Sequence, residues 1–263
     1  MTRLVGLIGN PVSASLSPRM QNAAFAARGL DWAYVPLEVE ASRLEAAVAG
    51  LLALGFSGAN VTIPYKTQTV AFCDELDPFA VRAGSVNTLV VRDGRVHGSS
   101  TDGEAVVSAV GARDARVLLL GAGGAAQAVS VAVLDAGAAE LAFAARSADS
   151  AHAIAVRLHA LFPSARVRVV ETWPPGEESA DVVVNCTPVR DEPLVRPRAE
   201  QSVVDLAYRP DGEPTALVAA AREAGCATVV DGLEVLVRQG AASFERWTGI
   251  AAPIDVMRAA VRP

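Results

Sequence analysis

The amino-acid sequence predicts an α/β protein with two domains, each built around a mainly parallel sheet. Hydrophobic residues make up 51% of the chain and aromatic residues only 5%, a composition that suits strands buried on both faces by helices. Apolar strands alternate with helical segments, which is typical of a parallel sheet. The alternation occurs in two separate series, and 263 residues are enough for two domains.

The first series occupies residues 1–101 and predicts an N-terminal domain. Its strands are LVGLIG, WAYVPLEV, GANVTI and a closing hairpin over VNTLVVRDGRVHGSS, with helices at 18–28, 43–54 and 65–73. Asp93 and Gly94 are the preferred pair for a tight primed turn between antiparallel strands, and they place the turn of the hairpin.

The second series occupies residues 102–232 and predicts a sheet of its own. After a helix at 104–110, its strands are RVLLLG, ELAFAAR, VRVV, DVVVN, SVVDLAY and ATVVDG, with helices at 124–136, 149–162 and 215–224. Two proline-bearing polar stretches, ETWPPGEESAD and RDEPLVRPRAEQ, are predicted to be loops at the rim of the sheet.

Residues 233–263 predict two helices that no strand follows. Leu236, Ala241, Phe244 and Trp247 share one side of the first helix, so this side is apolar and needs a partner. We expect the two helices to pack back on the N-terminal domain.

Charge and cysteine content exclude several classes of function. The chain carries 29 acidic and 23 basic side chains, a net charge of −6, which argues against nucleic-acid or anionic-membrane partners. Cys73, Cys186 and Cys226 form no CxxC pair and lie far from the histidines, so we expect reduced thiols and no metal. The N-terminal apolar run is too short for a signal peptide. These features predict a cytoplasmic protein with a small-molecule partner.

The stretch LLLGAGGAAQA predicts a dinucleotide site. A buried strand leads into a GxGxxA turn, whose glycines let the backbone approach a pyrophosphate at the N-terminus of the next helix. The residues of this turn are Gly121, Ala122, Gly123, Gly124 and Ala125.

The end of the next strand, ELAFAAR, indicates which dinucleotide is bound. An NAD site would end this strand with an acidic residue for the ribose hydroxyls, whereas here Arg146 and Ser147 follow the strand. A guanidinium suits a 2′-phosphate, so NADP is favoured over NAD, although a solvated arginine is a common alternative.

Two serines in SASLSP predict a site for an anion. Ser17 is expected to cap the helix that Pro18 begins, and Ser15 is not required for this cap. Two hydroxyls beside a helix N-terminus can bind a carboxylate, so the substrate is expected to be a carboxylic acid.

The stretch NVTIPYK supplies hydrogen-bonding side chains where a strand ends. Asn60, Thr62 and Lys66 project from it, while Asn87 and Asp102 follow or border other strands of the same domain. Strand ends form the ligand cleft of a parallel sheet, so these groups are predicted to gather around a polyhydroxylated ring. Lys66 and Asp102 could form a plain ion pair, or the ammonium could donate a proton to a carbonyl as hydride arrives.

Taken in order, eight segments resemble the shikimate dehydrogenase family over nearly the whole chain. They are GNPVSASLSP, GANVTIPYK, AGSVNTLV, STDG, GAGGAA, NCTP, DLAYRP and DGLEVLVRQGAASFERWTG. The resemblance implies a substrate domain, a Rossmann-like NADP domain and C-terminal helices that return to the substrate domain.

The resemblance also implies the activity, which is reversible NADP-dependent reduction of 3-dehydroshikimate to shikimate by a cytoplasmic monomer or homodimer. Lys66 and Asp102 match the catalytic pair. The positions implied to bind substrate are Ser15, Ser17, Asn60, Thr62, Lys66, Asn87, Asp102, Tyr208 and Gln239. The positions implied to bind NADP (NADPH) are Gly121, Ala122, Gly123, Gly124, Ala125, Arg146, Ser147, Thr187 and Gly232.

Five positions depart from the usual family pattern. Ala145 and Ser147 stand where Asn and Thr commonly flank the arginine, and Ser100 replaces the usual Asn before Thr-Asp. The pair that follows NCTP is Val189 and Arg190 instead of Gly-Met or a similar pair. The alternatives are a quinate or aminoshikimate dehydrogenase that uses NAD or NADP, and a non-catalytic dinucleotide-binding protein.

Overall fold

The chain folds into two α/β units, which the computed structural model describes for residues 1–262. The first unit comprises Met1–Thr101 together with the chain from Leu236 onward, and the second comprises Asp102–Val235. The chain thus leaves the first unit once and returns to it a few residues after position 233, where the sequence predicts the return.

The first unit contains one six-stranded, mainly parallel sheet. Its strands are β1 (Arg3–Gly9), β2 (Trp32–Glu38), β3 (Phe56–Val61), β4 (Glu75–Leu76), β5 (Thr88–Arg92) and β6 (Arg95–Ser99), in the spatial order β2-β1-β3-β5-β6-β4. Only β5 runs against its neighbours. Asp93 and Gly94 both have positive φ, as a primed turn between β5 and β6 requires, so the predicted hairpin is confirmed.

Helices α1 (Ser17–Ala27) and α2 (Leu44–Ala53) agree with prediction, whereas α3 (Pro78–Ala83) and the two-residue strand β4 were not predicted. The short helix predicted over 65–73 is present as a 3₁₀ helix at Gln68–Phe72. Here Thr69 Oγ1 donates to the Tyr65 carbonyl and Cys73 Sγ to the Thr69 carbonyl. These side-chain bonds compete with a regular helical ladder.

The second unit contains a fully parallel sheet with the doubly wound strand order. Its strands are β7 (Arg116–Leu120), β8 (Glu140–Ala144), β9 (Val167–Val170), β10 (Val182–Asn185), β11 (Ser202–Asp205) and β12 (Thr228–Val230), in the order β12-β11-β10-β7-β8-β9. Its helices are α4 (Asp102–Val110), α5 (Gly124–Asp135), α6 (Ala148–Leu161) and α7 (Ala216–Glu223). The order reverses between β7 and β10, and the ligand crevice of such sheets lies at the carboxyl ends of these two strands. The predicted Rossmann-like fold is confirmed.

Two long loops, 171–181 and 186–201, join β9 to β10 and β10 to β11. Within residues 1–262 neither loop contains a helix, in agreement with the sequence. They border a cavity of about 450 Å³ whose lining includes the strand residues Leu118 and Val183. Trp173 of the first loop packs against the apolar core of this unit.

The last two helices are α8 (Gly232–Thr248) and α9 (Ile254–Val261). From Leu236 onward they belong to the first unit. The Phe244 ring stacks on Phe25 with centroids 5.3 Å apart, and Trp247 Nε1 donates to the Leu89 carbonyl at 2.8 Å. The apolar side predicted for this helix is therefore buried in the first unit.

Two classes of site are absent from residues 1–262. In this range no helix has the length and hydropathy that a membrane span needs. Nor does it contain a group of three or more His, Cys, Asp or Glu side chains placed to hold a metal ion.

Candidate active site

The carboxyl ends of β1 and β3 bring two of the predicted loops together in the first unit. These strands are parallel neighbours, so the loops that follow them emerge at one edge of the sheet. The Asn10 amide donates to the Ile63 carbonyl at 3.1 Å, and the Thr62 amide donates to the Ile8 carbonyl at 2.9 Å. This edge therefore carries the serine loop of β1 and the NVTIPYK loop of β3.

The two serines cooperate in a way that differs from the expectation. Helix α1 already includes Ser17, because Leu16 has helical dihedrals and no side chain caps the helix. The expectation that Ser17 is the cap is therefore wrong. Ser15 Oγ instead accepts from the Ser17 amide at 3.2 Å, so Ser15 takes part in starting the helix. Helix boundaries read from sequence shift by a residue for this kind of reason.

Lys66 is the only lysine in the chain, which the sequence motifs alone do not reveal. All other basic side chains among the 23 are arginines. Lys66 is partly buried, and its carbonyl accepts from the Val86 amide at 2.8 Å, which ties it to the start of β5. An amine can gain and lose a proton in a protein site, whereas a guanidinium stays charged. Among the 23 lysine and arginine side chains, Lys66 is thus the one suited to proton transfer.

A cluster of amide and hydroxyl groups fixes the chain just before Asp102. Asn87 is buried, its Oδ1 accepts from the Thr101 amide at 2.9 Å, and its Nδ2 donates to Thr101 Oγ1 at 2.9 Å and to Gln239 Oε1 at 3.4 Å. Thr101 Oγ1 also donates to the Gln239 carbonyl at 3.1 Å. The structure therefore brings together Asn87 and Gln239, and it anchors the peptide that precedes the buried Asp102.

Asn60 is placed differently from the other predicted substrate residues. Its Nδ2 donates to the Asn87 carbonyl at 2.9 Å, to Thr88 Oγ1 at 3.2 Å and to Ser243 Oγ at 2.9 Å. Its Oδ1 accepts from Tyr34 Oη at 3.0 Å. These bonds hold the amide inside the first unit, so Asn60 supports β5 and α8.

The glycine turn after β7 has the geometry that a dinucleotide needs. Gly121 has φ +108, and a Cβ there would lie 3.0 Å from Thr187 Cγ2, so a side chain is excluded. Gly123 is the N-cap of α5, no side chain caps this helix, and a Cβ at Gly123 would meet nothing within 4 Å. The N-terminus of α5 is thus open at Gly123 and has no side-chain cap, which fits a pyrophosphate. Ala122, Gly124 and Ala125 complete the turn.

Arg146 and Ser147 follow β8, the strand next to β7, and both are exposed. Ser147 caps α6, because its Oγ accepts from the Ser150 amide at 3.2 Å. Arg146 precedes this cap at the same sheet edge as the glycine turn, a placement that fits an anionic group on the adenosine side of a dinucleotide.

Three further predicted residues lie after β10, β11 and β12 in the second unit. Thr187 donates from both its amide and its hydroxyl to Asn185 Oδ1, at 2.9 and 2.7 Å. Gly232 must be glycine because a Cβ would lie 2.2 Å from the Ala207 carbonyl oxygen. Tyr208 is partly buried in the loop that follows β11.

Asp205, which ends β11, is a buried carboxylate that the sequence reasoning did not single out. Burial raises the pKa of its carboxyl to about 6, although hydrogen bonds from Thr215, Ala207 and Asn185 and the charge of Arg190 lower it in part. The sequence did contain a signal for this residue, since Asp205 is an acidic residue at the end of an otherwise apolar strand. The preceding strand, DVVVN, also ends in a polar residue, the amide Asn185.

The raised pKa of Asp205 predicts a pH dependence of stability. Its ordinary value is 3.8, so between about pH 4 and pH 6 the folded protein holds a proton that the unfolded chain has lost. The free energy of unfolding therefore falls as pH rises through this window. Relative to Asp205→Asn, we expect the wild type to lose about 2 kcal/mol between about pH 4.5 and about pH 7.5, since one pKa unit corresponds to about 1.4 kcal/mol. Urea unfolding at both pH values measures this difference, and an identical pH response of the two proteins would contradict it.

Comparison with known proteins relates both ends of the chain to one family. A family profile described as shikimate dehydrogenase substrate binding domain matches residues 7–89, and one described as shikimate 5'-dehydrogenase C-terminal domain matches residues 232–262. A shikimate dehydrogenase (NADP(+)) from Anaeromyxobacter sp. (strain Fw109-5) is 46% identical over 273 residues, which cover 99% of this chain and 96% of the relative.

Two solved structures match the fold of this chain over almost its whole length. The shikimate 5-dehydrogenase of Thermus thermophilus, in complex with NADP(H) and shikimate, has a TM-score of 0.84 and 30% identity, covering 99% of this chain and 98% of that one. The quinate dehydrogenase of Corynebacterium glutamicum, in complex with NAD, has a TM-score of 0.83 and 28% identity, covering 98% of both chains. With identity of this extent over almost its whole length, the chain belongs to the shikimate dehydrogenase family.

Proposed function

We infer that the chain is an NADP-dependent shikimate dehydrogenase, which reversibly reduces 3-dehydroshikimate to shikimate. The observation that carries this inference is the 46% identity to a shikimate dehydrogenase (NADP(+)) over 99% of the chain. The doubly wound second unit, with its glycine turn at the switch point, provides the cofactor-binding fold that such an oxidoreductase requires.

We propose that the first unit binds the substrate through two kinds of polar group on the substrate, the carboxylate and the ring hydroxyls. Ser15 and Ser17 bind the carboxylate beside the N-terminus of α1, where hydroxyls and backbone dipole act together. The ring hydroxyls are bound by Thr62, Asn87 and Gln239 of this unit, and Asp102 and Tyr208 are the other two residues proposed to contact the substrate. Asn60 supports this set through its bonds to Asn87, Thr88 and Ser243.

NADP, when bound, supplies or accepts the hydride at the ring carbon. The oxygen on that carbon gains a proton in the reduction and loses it in the oxidation. We propose that Lys66 supplies or relays this proton and that Asp102 fixes the reacting oxygen. The residues that hold the cofactor are the glycine turn (121–125), Arg146, Ser147, Thr187 and Gly232.

The direct test is the formation of NADPH from shikimate and NADP⁺ by the purified protein, followed by absorbance. The same assay with quinate, aminoshikimate and NAD compares kcat/KM for the related activities. A preference for quinate or aminoshikimate would replace the proposed substrate, and NADP binding without turnover of any of these acids would indicate a non-catalytic protein.

Arg146 provides a prediction about cofactor choice. Arg146→Ala is expected to raise the Kd for NADPH at least about tenfold and to leave the Kd for NADH unchanged, because only NADPH carries the 2′-phosphate. A charge-assisted hydrogen bond is worth about 1.5–3 kcal/mol, and about 1.4 kcal/mol is a factor of ten. Calorimetry measures both constants. Arg166→Ala is the control, since this exposed arginine lies just before β9, away from the carboxyl edge. Equal weakening by both variants would refute the assignment.

The assembly and location of the enzyme are also proposals. We propose a monomer or homodimer in the cytoplasm, which the three free thiols support, since a reducing compartment keeps cysteines unpaired. Sedimentation equilibrium distinguishes the two assembly states.

A further inference from the structure

A buried carboxylate at the cofactor edge of the second unit has no part in the mechanism above. Asp205 is 0% exposed, and three groups from different segments donate to it. Asn185 Nδ2 donates to Oδ1 at 2.8 Å, the Ala207 amide donates to Oδ1 at 2.9 Å, and Thr215 Oγ1 donates to Oδ2 at 2.5 Å. One side chain thus joins the end of β10, the loop after β11 and the start of α7.

The first of these bonds sets the orientation of the Asn185 amide. An ionised carboxylate only accepts hydrogen bonds, so it turns the NH₂ of Asn185 toward itself and the Oδ1 toward Thr187. Thr187 then donates to that oxygen from its amide and hydroxyl. The hydroxyl in turn accepts from the Val189 amide at 3.2 Å, while the Thr187 methyl faces the turn at Gly121. Asp205 therefore determines how the NCTP loop meets the glycine turn.

The second bond fixes the opposite loop. The Ala207 amide is held by Asp205, and the Ala207 carbonyl oxygen lies against Gly232, the first residue of α8. Tyr208 is the next residue in the same loop. The two loops that flank the switch point are thus both held by hydrogen bonds to the same carboxylate, that of Asp205.

We propose that Asp205 is a positioning residue for the dinucleotide, which holds the Thr187 loop and the Ala207–Tyr208 loop in the arrangement that NADPH binds. This proposal rests on the proposed function, because it takes the edge carrying Thr187 and Gly232 as the cofactor site. It extends that function to a residue which does not itself touch the cofactor.

Stability alone does not explain a carboxylate at this position. Burial disfavours its charged form, so an ionised Asp205 destabilises the fold near neutral pH. An asparagine would keep the two bonds to Oδ1 and remove the buried charge. An ionised carboxylate is nevertheless the group that cannot present a donor to Asn185 or Ala207, whichever way it rotates.

The test compares three variants by titration of NADPH fluorescence and by thermal unfolding. Asp205→Ala removes all three bonds, and we expect the Kd for NADPH to rise at least about tenfold. Asp205→Asn keeps the bonds to both loops and is expected to bind NADPH within about threefold of the wild type. Thr215→Val removes the bond between Asp205 and Thr215 and the N-cap bond from the Val218 amide, and it leaves both loop bonds in place. It should therefore lower the unfolding temperature without changing the Kd.

These measurements distinguish a positioning role of Asp205 from a purely structural one. If Asp205→Ala binds NADPH as the wild type does, or if Thr215→Val weakens NADPH as strongly as Asp205→Ala does, Asp205 is merely structural and the proposal is overturned. Should Asp205→Ala fail to fold, Asn185→Ala takes its place, since it detaches only the Thr187 loop and must raise the same Kd. Failure of the proposed function appears instead in the wild type, as NADPH binding without shikimate oxidation.

Discussion

Lys66→Met is expected to lower kcat for shikimate oxidation by about 10²–10⁴-fold, the usual contribution of a positioned proton-transfer group. The thioether keeps the length of the side chain and removes its proton. KM for shikimate should change little, because Ser15 and Ser17 are proposed to supply the carboxylate contacts. Steady-state kinetics at several pH values measures both constants. A variant that turns over as fast as the wild type would remove Lys66 from the mechanism.

The composition of the chain makes this test unusually direct. Because Lys66 is the only lysine, isotopically labelled lysine gives a single side-chain ammonium signal in NMR. The titration of that signal, with and without shikimate, can be compared with the pH dependence of kcat/KM. Arg43→Met is a suitable control, since it removes an exposed basic side chain just before α2. It should retain full activity.

Asn60→Leu should destabilise the protein by about 3 kcal/mol or more. Leucine has a similar shape but removes all four hydrogen bonds of Asn60, those to the Asn87 carbonyl, Thr88 Oγ1 and Ser243 Oγ and the one from Tyr34 Oη. A hydrogen bond contributes about 0.5–1.5 kcal/mol to stability. Urea unfolding measures the loss.

Tyr34→Phe is the matched control, because it removes one hydrogen bond and keeps the aromatic packing of Tyr34 against Trp247. We expect it to cost about 1 kcal/mol. If Asn60→Leu instead unfolds like the wild type but loses shikimate affinity, Asn60 contacts the ring directly. That result would contradict the supporting role that its four partners indicate.

Most of the fold follows from patterns that sequence reveals well. Buried parallel strands are continuous apolar runs, and glycine or proline marks where they end, so all six strands of the second unit were predicted. Strand β4, with two residues, is too short to show a period. The segment 65–73 has helical spacing, but Thr69 and Cys73 bond back to the backbone, which spacing does not reveal.

The site was predictable where a residue type has one chemical use and less so where it has several. The glycine turn is of the first kind. Asn60 is of the second, since an amide serves a ligand or a buried network equally well, and only its four partners distinguish the two. Asp205 was not predicted, because its role depends on hydrogen bonds from Asn185, Ala207 and Thr215. These partners are either distant from it in sequence or of residue types too common to indicate a contact.

The tryptophans are divided between the two units. Trp32 and Trp247 belong to the first unit, and Trp173, in the loop that leads to β10, belongs to the second. Intrinsic emission therefore contains a separate reporter for each half of the enzyme. In a Trp173→Phe protein the remaining signal comes only from the substrate-binding half, so the order in which the halves melt can be followed without attaching a dye.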